Sequence, residues 1–194
     1  EEHAQWLSEH GYFYVMHRFG VDALEFVRAA QGWKTVSISV GVQETDKYLL
    51  EQIASEDLRL DYVTIDIAHG DSILMKEMLG HISTLALGAR IIAGNVCTPE
   101  GYRRLVEWGA DAVKVGIGGG GVCSTKNKTG FTFPMYSCIS HIERVRELDD
   151  PPIVADGGVR EHADIVKAIH AGAEMVMIGG LFSRCIDSPA ELLD

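Results

Sequence analysis

A glycine-rich segment followed by a cysteine is the part of the sequence best suited to covalent chemistry. Five glycines occur from Gly116 to Gly121, and Cys123 comes next among hydroxyl and lysine side chains. Glycine lets the backbone turn sharply and brings its amides close to a bound partner. Neighbouring hydroxyls can relay protons and cations favour the thiolate, so we predict that Cys123 is a nucleophile. The alternative for this segment is a purely structural or cation-binding loop.

The remaining cysteines, Cys97, Cys138 and Cys185, are expected to be inert and buried, as free cysteines usually are. The four cysteines show no C-x-x-C spacing, which argues against disulfide and zinc sites in a chain of ordinary domain size. A thiol available for chemistry is therefore expected at Cys123.

Two glycine pairs follow successive predicted strands near the end of the sequence. Asp156 precedes Gly157 and Gly158, and Gly179 and Gly180 follow the next strand. In barrel enzymes the loops after the last two strands often bind phosphate through backbone amides. The carboxylate is better suited to accept hydrogen bonds from ribose hydroxyls. The alternative for each pair is a tight turn that needs glycine for its geometry alone.

Asp66, His69 and Asn95 form a third candidate group, which follows two earlier strands. Asp66 could bind a sugar hydroxyl of a dinucleotide, or it could simply cap the next helix. His69 could carry a proton, although a hydrogen-bonded loop histidine is more common. Since no Rossmann fingerprint precedes a helix, a nicotinamide cofactor would have to bind on the same face as the substrate.

The elements that must position these residues alternate between short β-branched runs and longer amphipathic segments. Each predicted strand is followed by polar or glycine-rich sequence, which favours a (β/α)8 barrel over a doubly wound sheet because a barrel gathers its site from all strand ends. Gly109 and Gly172 are predicted to end helices in the left-handed conformation. The predicted strands are residues 12–16, 35–40, 62–67, 89–93, 112–115, 152–155 and 175–178, and the clearest helices are 2–10, 45–55, 72–87, 99–108 and 162–171.

Length and composition favour a single α/β domain. The 194 residues are 46% apolar, enough for one core, and no linker divides them. We expect one strand of the barrel to precede Glu1 and the last helix to continue beyond Asp194, since a barrel typically has about 250 residues. Residues 187–191 read as a helix start with a capping box.

The charge of the chain excludes several classes of partner. A formal net charge of -11 gives no general attraction to nucleic acid or to an anionic membrane surface. Apolar runs are far shorter than the roughly 20 residues that cross a bilayer, and the acidic start does not resemble a signal peptide. We therefore expect a cytoplasmic protein that binds phosphate locally.

Residues 116–125 resemble the signature loop of the inosine-monophosphate (IMP) dehydrogenase and guanosine-monophosphate (GMP) reductase family. The segments 156–158 and 179–180 follow at the spacing typical of that family, so the resemblance covers essentially the whole chain. Residues 11–19, 66–70 and 128–130 are similar to the reductase branch. The chain departs from the family at Gly119, where proline is usual, and at 131–136.

The resemblance implies that Cys123 attacks C2 of GMP and expels ammonia, and that hydride from NADPH then releases IMP. By position in the family, Thr125 would assist proton transfer, Asp156 would hold the ribose and Asp66 would face the cofactor. Four glycines would bind the phosphate (Gly157, Gly158, Gly179, Gly180). The carbonyls of Gly118 and Gly120 would bind a monovalent cation such as K+. We also expect His69 and Asn95 to bind the cofactor.

The resemblance also implies a homotetramer, and a catalytic glutamate beyond Asp194. Three other functions remain open from the sequence. The first is an IMP dehydrogenase that reduces NAD. The others are a non-catalytic nucleotide-binding barrel and a phosphate-binding barrel with unrelated chemistry.

Overall fold

The computed structural model describes residues 2–120, 125–185 and 188, in which helices alternate with parallel strands. The strands are β1 (Ser37–Val40), β2 (Tyr62–Asp66), β3 (Arg90–Val96), β4 (Ala112–Val115), β5 (Ile153–Asp156) and β6 (Met175–Met177). The helices are α1 (Glu2–Glu9), α2 (Ala23–Ala29), α3 (Glu44–Ser55), α4 (Ile73–Thr84), α5 (Pro99–Glu107), α6 (Thr125–Thr129), α7 (Met135–Glu143) and α8 (His162–Ala171). Short 3-10 turns follow α2 (Ala30–Gly32) and β6 (Phe182–Arg184).

The six strands form one parallel sheet whose order is the order of the sequence, from β1 to β6. A doubly wound sheet reverses its strand order at a switch point, whereas the strands of a (β/α)8 barrel are paired in sequence. The observed order is therefore that of the predicted barrel. All the carboxyl ends of the strands lie at one edge, which is the edge where the candidate residues cluster.

The prediction of a first strand at residues 12–16 is wrong for the described part of the chain. Only Met16 pairs with the sheet, through one isolated parallel bridge to β1. The segment is held instead by side chains: the Tyr14 hydroxyl donates to the carbonyl of Thr35 at 2.9 Å, and the exposed Tyr12 ring stacks on Trp6. Aromatic and β-branched composition indicated a strand here, but these side-chain contacts replace the ladder.

Alternate strand residues face opposite sides of the sheet, as the period of two requires. One side packs against the helices and holds the main core, with strand residues that are almost fully buried (Ile38, Val63, Ile65, Val113, Ile153). The other side holds a smaller apolar cluster around Ile92, Ala112 and Val154, together with the buried polar residues Thr64 and Lys114. Among the described helices, none combines the length and apolar character that a membrane crossing requires.

Acidic residues at the start of every second strand fix the register of the sheet. Each carboxylate accepts a hydrogen bond from a backbone N–H at the start of the neighbouring strand: Asp61 from Val36 at 2.7 Å, Asp111 from Ile91 at 2.7 Å and Glu174 from Ile153 at 2.8 Å. These N–H groups would otherwise lack a partner at the strand end. The helices that precede two of these acids end as predicted, with Gly109 at φ 98° and Gly172 at φ 119°.

Candidate active site

Four polar side chains meet where strands β2 to β5 end. Lys114 of β4 donates from Nζ to Oδ1 of Asp66, at the end of β2, over 2.7 Å. The same Nζ donates to Oδ2 of Asp156, at the end of β5. Asn95 of β3 donates from Nδ2 to that same Asp156 oxygen over 2.8 Å. Two candidate residues that are 90 positions apart in the sequence are therefore joined through one ammonium group.

The buried cation makes this cluster a stable site for two carboxylates. The Lys114 side chain is only 3% exposed. Burial by itself would lower the pKa of its ammonium, but the charges of Asp156 and Asp66 outweigh burial, and the pKa lies above its ordinary value. The side chains of Asp66 and Asp156 are 44% and 22% exposed, so both reach the open side of the cluster. Such carboxylates can accept hydrogen bonds from hydroxyl groups.

Lys114 was not among the residues predicted from the sequence. The signal was available, because a lysine in the middle of the otherwise apolar strand 112–115 must find a charged partner once it is buried. The alternative interpretation of Asp66 as a helix cap is wrong, since the cap of α4 is Ser72, whose side chain accepts from the N–H of Met75 at 3.3 Å.

Asn95 holds the cluster together from the side of β3. Its amide hydrogens are shared between Asp156 and the carbonyl of Gly116, which lies 2.7 Å from Nδ2. Its Oδ1 is buried and has no hydrogen-bond partner among the described residues. The preceding Gly94 allows β3 and β4 to approach closely, because a Cβ there would lie 2.5 Å from Cβ of Lys114.

The glycine-rich loop after β4 packs directly on the loop after β5. A Cβ on Gly157 would lie 3.0 Å from the amide nitrogen of Gly120, and one on Gly116 would lie 2.5 Å from the carbonyl oxygen of Asp156. Gly116, Gly157 and Gly158 also have positive φ angles of 134°, 96° and 79°. The backbone geometry therefore favours glycine at all three positions, and close packing favours it further at Gly116 and Gly157. The carbonyl of Asp156 lies against Gly116, while its side chain is held by Lys114 and Asn95.

The glycines after β6 differ from these in both backbone conformation and surroundings. Gly179 and Gly180 lack positive φ, and no described atom would lie within 4 Å of a Cβ on either. Neither crowding nor turn geometry in the described part of the chain explains glycine at these positions. Both residues are exposed.

The predicted nucleophile, Cys123, lies outside the described residues. The loop before it is described as far as Gly120, and the next described residue is Thr125, which begins α6 and is half-buried. The carbonyl of Thr125 accepts from the side chain of Thr129 at 2.7 Å. Earlier in the same loop, Gly118 has a φ of 75°, which favours glycine.

The remaining cysteines differ in exposure. Cys138 is fully buried, donates from Sγ to the carbonyl of Cys97 at 3.2 Å, and has its pKa raised to about 12 by burial. Burial also raises the pKa of the half-buried Cys97. The expectation of burial is wrong for Cys185, which is exposed directly after the 3-10 turn that follows β6. His69 is likewise exposed, on the loop after β2.

Comparison with known proteins assigns this chain to a family. The model of the IMP dehydrogenase / GMP reductase domain matches residues 24–194, which includes all the strands and every candidate residue. The chain belongs to the IMP dehydrogenase/GMP reductase family. The resemblance inferred from the signature loop is thereby confirmed.

Two similar relatives of this family carry the name GMP reductase. A GMP reductase from Delftia acidovorans is 46% identical over 190 residues, 97% of this chain and 58% of the relative. One from Staphylococcus epidermidis is also 46% identical, over 196 residues, 100% of this chain and 60% of the relative. The chain thus spans about 60% of the length of these relatives.

Solved structures of the IMP dehydrogenase/GMP reductase family confirm the barrel fold. An IMP dehydrogenase from Legionella pneumophila superposes with a TM-score of 0.79 at 38% identity, over 92% of this chain and 53% of that one. A GMP reductase variant from Trypanosoma brucei superposes with a TM-score of 0.75 at 33% identity, over 85% of this chain and 36% of that one. That variant has also been solved in complex with guanosine 5'-monophosphate.

Proposed function

We propose that this protein is a GMP reductase, and that residues 1–194 belong to a single catalytic barrel domain. In this reaction GMP, NADPH and two protons give IMP, NADP+ and an ammonium ion. The observation that carries the proposal is the pair of carboxylates held by the buried Lys114 beside two packed glycine loops. The names of the relatives within the family add to it.

The nucleotide would bind at the ends of β5 and β6. Asp156 would accept hydrogen bonds from the ribose hydroxyls, for which its partly exposed carboxylate is suited. Backbone amides of the glycine pairs would hold the phosphate (Gly157, Gly158, Gly179, Gly180). This arrangement needs no cluster of basic residues, because amide groups and helix N-termini can bind a phosphate by themselves. It suits a chain with a net charge of -11.

Cys123 would form the covalent bond to the base. Its thiolate attacks C2 of GMP and the exocyclic amine leaves as ammonia, which gives a thioimidate. Thr125 would relay the proton that the departing amine requires. In the second step a hydride adds to C2 and the C2–sulfur bond breaks, which returns the thiolate and releases IMP. The covalent intermediate divides one difficult substitution into two easier steps.

The cofactor would bind beside Asp66. A bound reduced nicotinamide supplies the hydride for the second step. The site fits such a group because the Asp66 carboxylate is 44% exposed and can accept hydrogen bonds from a ribose. The exposed His69 lies on the same loop, and Asn95 has a buried Oδ1 without a partner among the described residues. We propose NADPH as this cofactor, with all three residues on its side of the site.

A monovalent cation such as K+ would bind at the glycine-rich loop. The carbonyls of Gly118 and Gly120 would be its ligands, and neither accepts a hydrogen bond from the described residues.

For the whole protein we propose a cytoplasmic homotetramer. The exposed aromatic side chains of the first segment, such as Trp6 and Tyr12, provide apolar surface that an assembly could bury. Light scattering of the purified protein measures the number of subunits directly.

The test is turnover of GMP. The intact protein with GMP and NADPH should oxidise the cofactor and release ammonia and IMP in equal amounts, and Cys123→Ser should bind GMP but give no turnover. Cys185→Ser, a change at an exposed cysteine to which the proposal gives no role, is the matched control and should keep its activity. Reduction of NAD with IMP, and none with GMP and NADPH, would identify a dehydrogenase instead. Absence of turnover and of any covalent adduct by intact mass would identify a non-catalytic barrel.

A further inference from the structure

Lys114 is a single ammonium group shared by two carboxylates that the proposed function gives to different ligands. Asp156 belongs to the nucleotide and Asp66 to the cofactor, and Nζ of Lys114 donates to both. We propose that Lys114 is a positioning residue that couples the nucleotide site to the cofactor site. This inference rests on the proposed function, because that function is what assigns the two carboxylates.

Burial excludes direct contact between Lys114 and either ligand. The lysine side chain is 3% exposed, whereas Asp66 and Asp156 are 44% and 22% exposed. The carboxylates therefore touch the ligands, and the lysine acts through them. A buried charge must be paired, so its position is tied to both partners at once.

Each of the two carboxylates accepts the hydrogen bond from the lysine through only one of its two oxygens. Among the described residues, the hydrogen bonds to these side chains end on Oδ1 of Asp66 and on Oδ2 of Asp156. The second oxygen of each group is the one left for a ligand. One ammonium thus sets the direction in which both acceptors point, and a shift at either acceptor is transmitted to the other.

The sheet fixes the lysine itself. Lys114 lies opposite Gly94 in the β3–β4 register, and Gly94 lies opposite Asp66 in the β2–β3 register. The missing side chain at Gly94 leaves the space through which the lysine stem passes, since a Cβ there would meet Cβ of Lys114 at 2.5 Å. Without the cation, two like charges would face each other across this gap and separate. Both ligand sites would then lose their geometry together.

The test measures both ligands in the same set of variants. Titration calorimetry of the intact protein with GMP and, separately, with NADPH should show that Lys114→Met weakens both by about 10-fold, about the effect of losing one hydrogen bond that involves a charged group. Asp156→Asn should weaken GMP more than NADPH, and Asp66→Asn should do the reverse. In steady-state assays Lys114→Met should raise KM for both substrates by a larger factor than it lowers kcat. Lys34→Met, before β1 at the opposite end of the strands, is the control and should change neither affinity.

Lys114→Arg separates positioning from a general loss of structure. It keeps the cation and changes only its reach, so both affinities should fall together but by less than in Lys114→Met. It also keeps the test decisive if Lys114→Met does not fold by circular dichroism. An unchanged affinity for either ligand in the folded lysine variants overturns the inference. If the unmodified protein binds neither GMP nor NADPH, the proposed function is rejected, and the inference that depends on it is rejected too.

Discussion

Replacement of Gly94 by alanine should loosen the sheet at the point where the candidate site is held together. Gly94 lies between Asp66 on β2 and Lys114 on β4 in the strand register. The added Cβ would lie 2.5 Å from Cβ of Lys114 and 2.6 Å from its carbonyl oxygen. Carbon atoms pack at about 3.5 to 4.0 Å, so the two strands must separate by about 1 Å. Neither obstacle is the flexible end of a side chain.

The balance of free energies predicts destabilisation. Overpacking of a well-packed core typically costs about 1 to 3 kcal/mol. Alanine restricts the unfolded chain more than glycine does, which offsets about 0.4 to 1 kcal/mol at most where the native backbone is compatible. We therefore expect Gly94→Ala to lower the free energy of unfolding by about 1 to 2 kcal/mol. The shift of Lys114 should also weaken GMP binding.

Gly80→Ala provides a control for which we expect the free energy of unfolding to change in the opposite direction. Gly80 is exposed on α4, and outside the backbone of its own helix no described atom would lie within 4 Å of an added Cβ. Alanine in the middle of a helix is more favourable than glycine by about 0.5 to 1 kcal/mol. Urea unfolding of both variants measures the difference. A Gly94→Ala protein as stable as the parent, or a Gly80→Ala protein that loses as much stability as Gly94→Ala, would refute the reasoning.

Two further predictions concern a buried thiol and a carboxylate that fixes the register. The pKa of Cys138 is raised to about 12, above that of an unfolded thiol at about 8.5, so its contribution to stability should be complete below pH 8.5 and decrease as the pH rises towards 12. Alkylation near neutral pH, followed by peptide mass spectrometry, should label the exposed Cys185 faster than Cys138, and equal rates would contradict the assignment. Asp111→Ala should lower the free energy of unfolding by about 1 to 3 kcal/mol because the N–H of Ile91 loses its acceptor. The exposed Asp149→Ala should change it by less than about 0.5 kcal/mol, and a similar effect in both variants would count against the register role.

Local patterns were sufficient to predict most of the elements. Periodicity located six of the seven predicted strands, and the glycines at 109 and 172 marked helix ends. Helix ends and buried strands depend on nearby residues, which is why a single sequence carries them. The segment 12–16 failed because its aromatic side chains make contacts with α1 and with residues before β1, and the same composition would also fit a strand.

The sequence by itself determined the class of fold, the glycine-rich segments and the carboxylates that end the strands. Only the tertiary structure decided that Asp66 and Asp156 share one buried ammonium. It also decided that Gly157 packs tightly against the loop after β4, whereas no described atom would lie within 4 Å of a Cβ on Gly179 or Gly180. The physical reason is the parallel register, which brings strand ends together across helical connections of many residues. A contact of that kind depends on the relative positions of whole strands, and neighbouring residues in the sequence do not encode it locally.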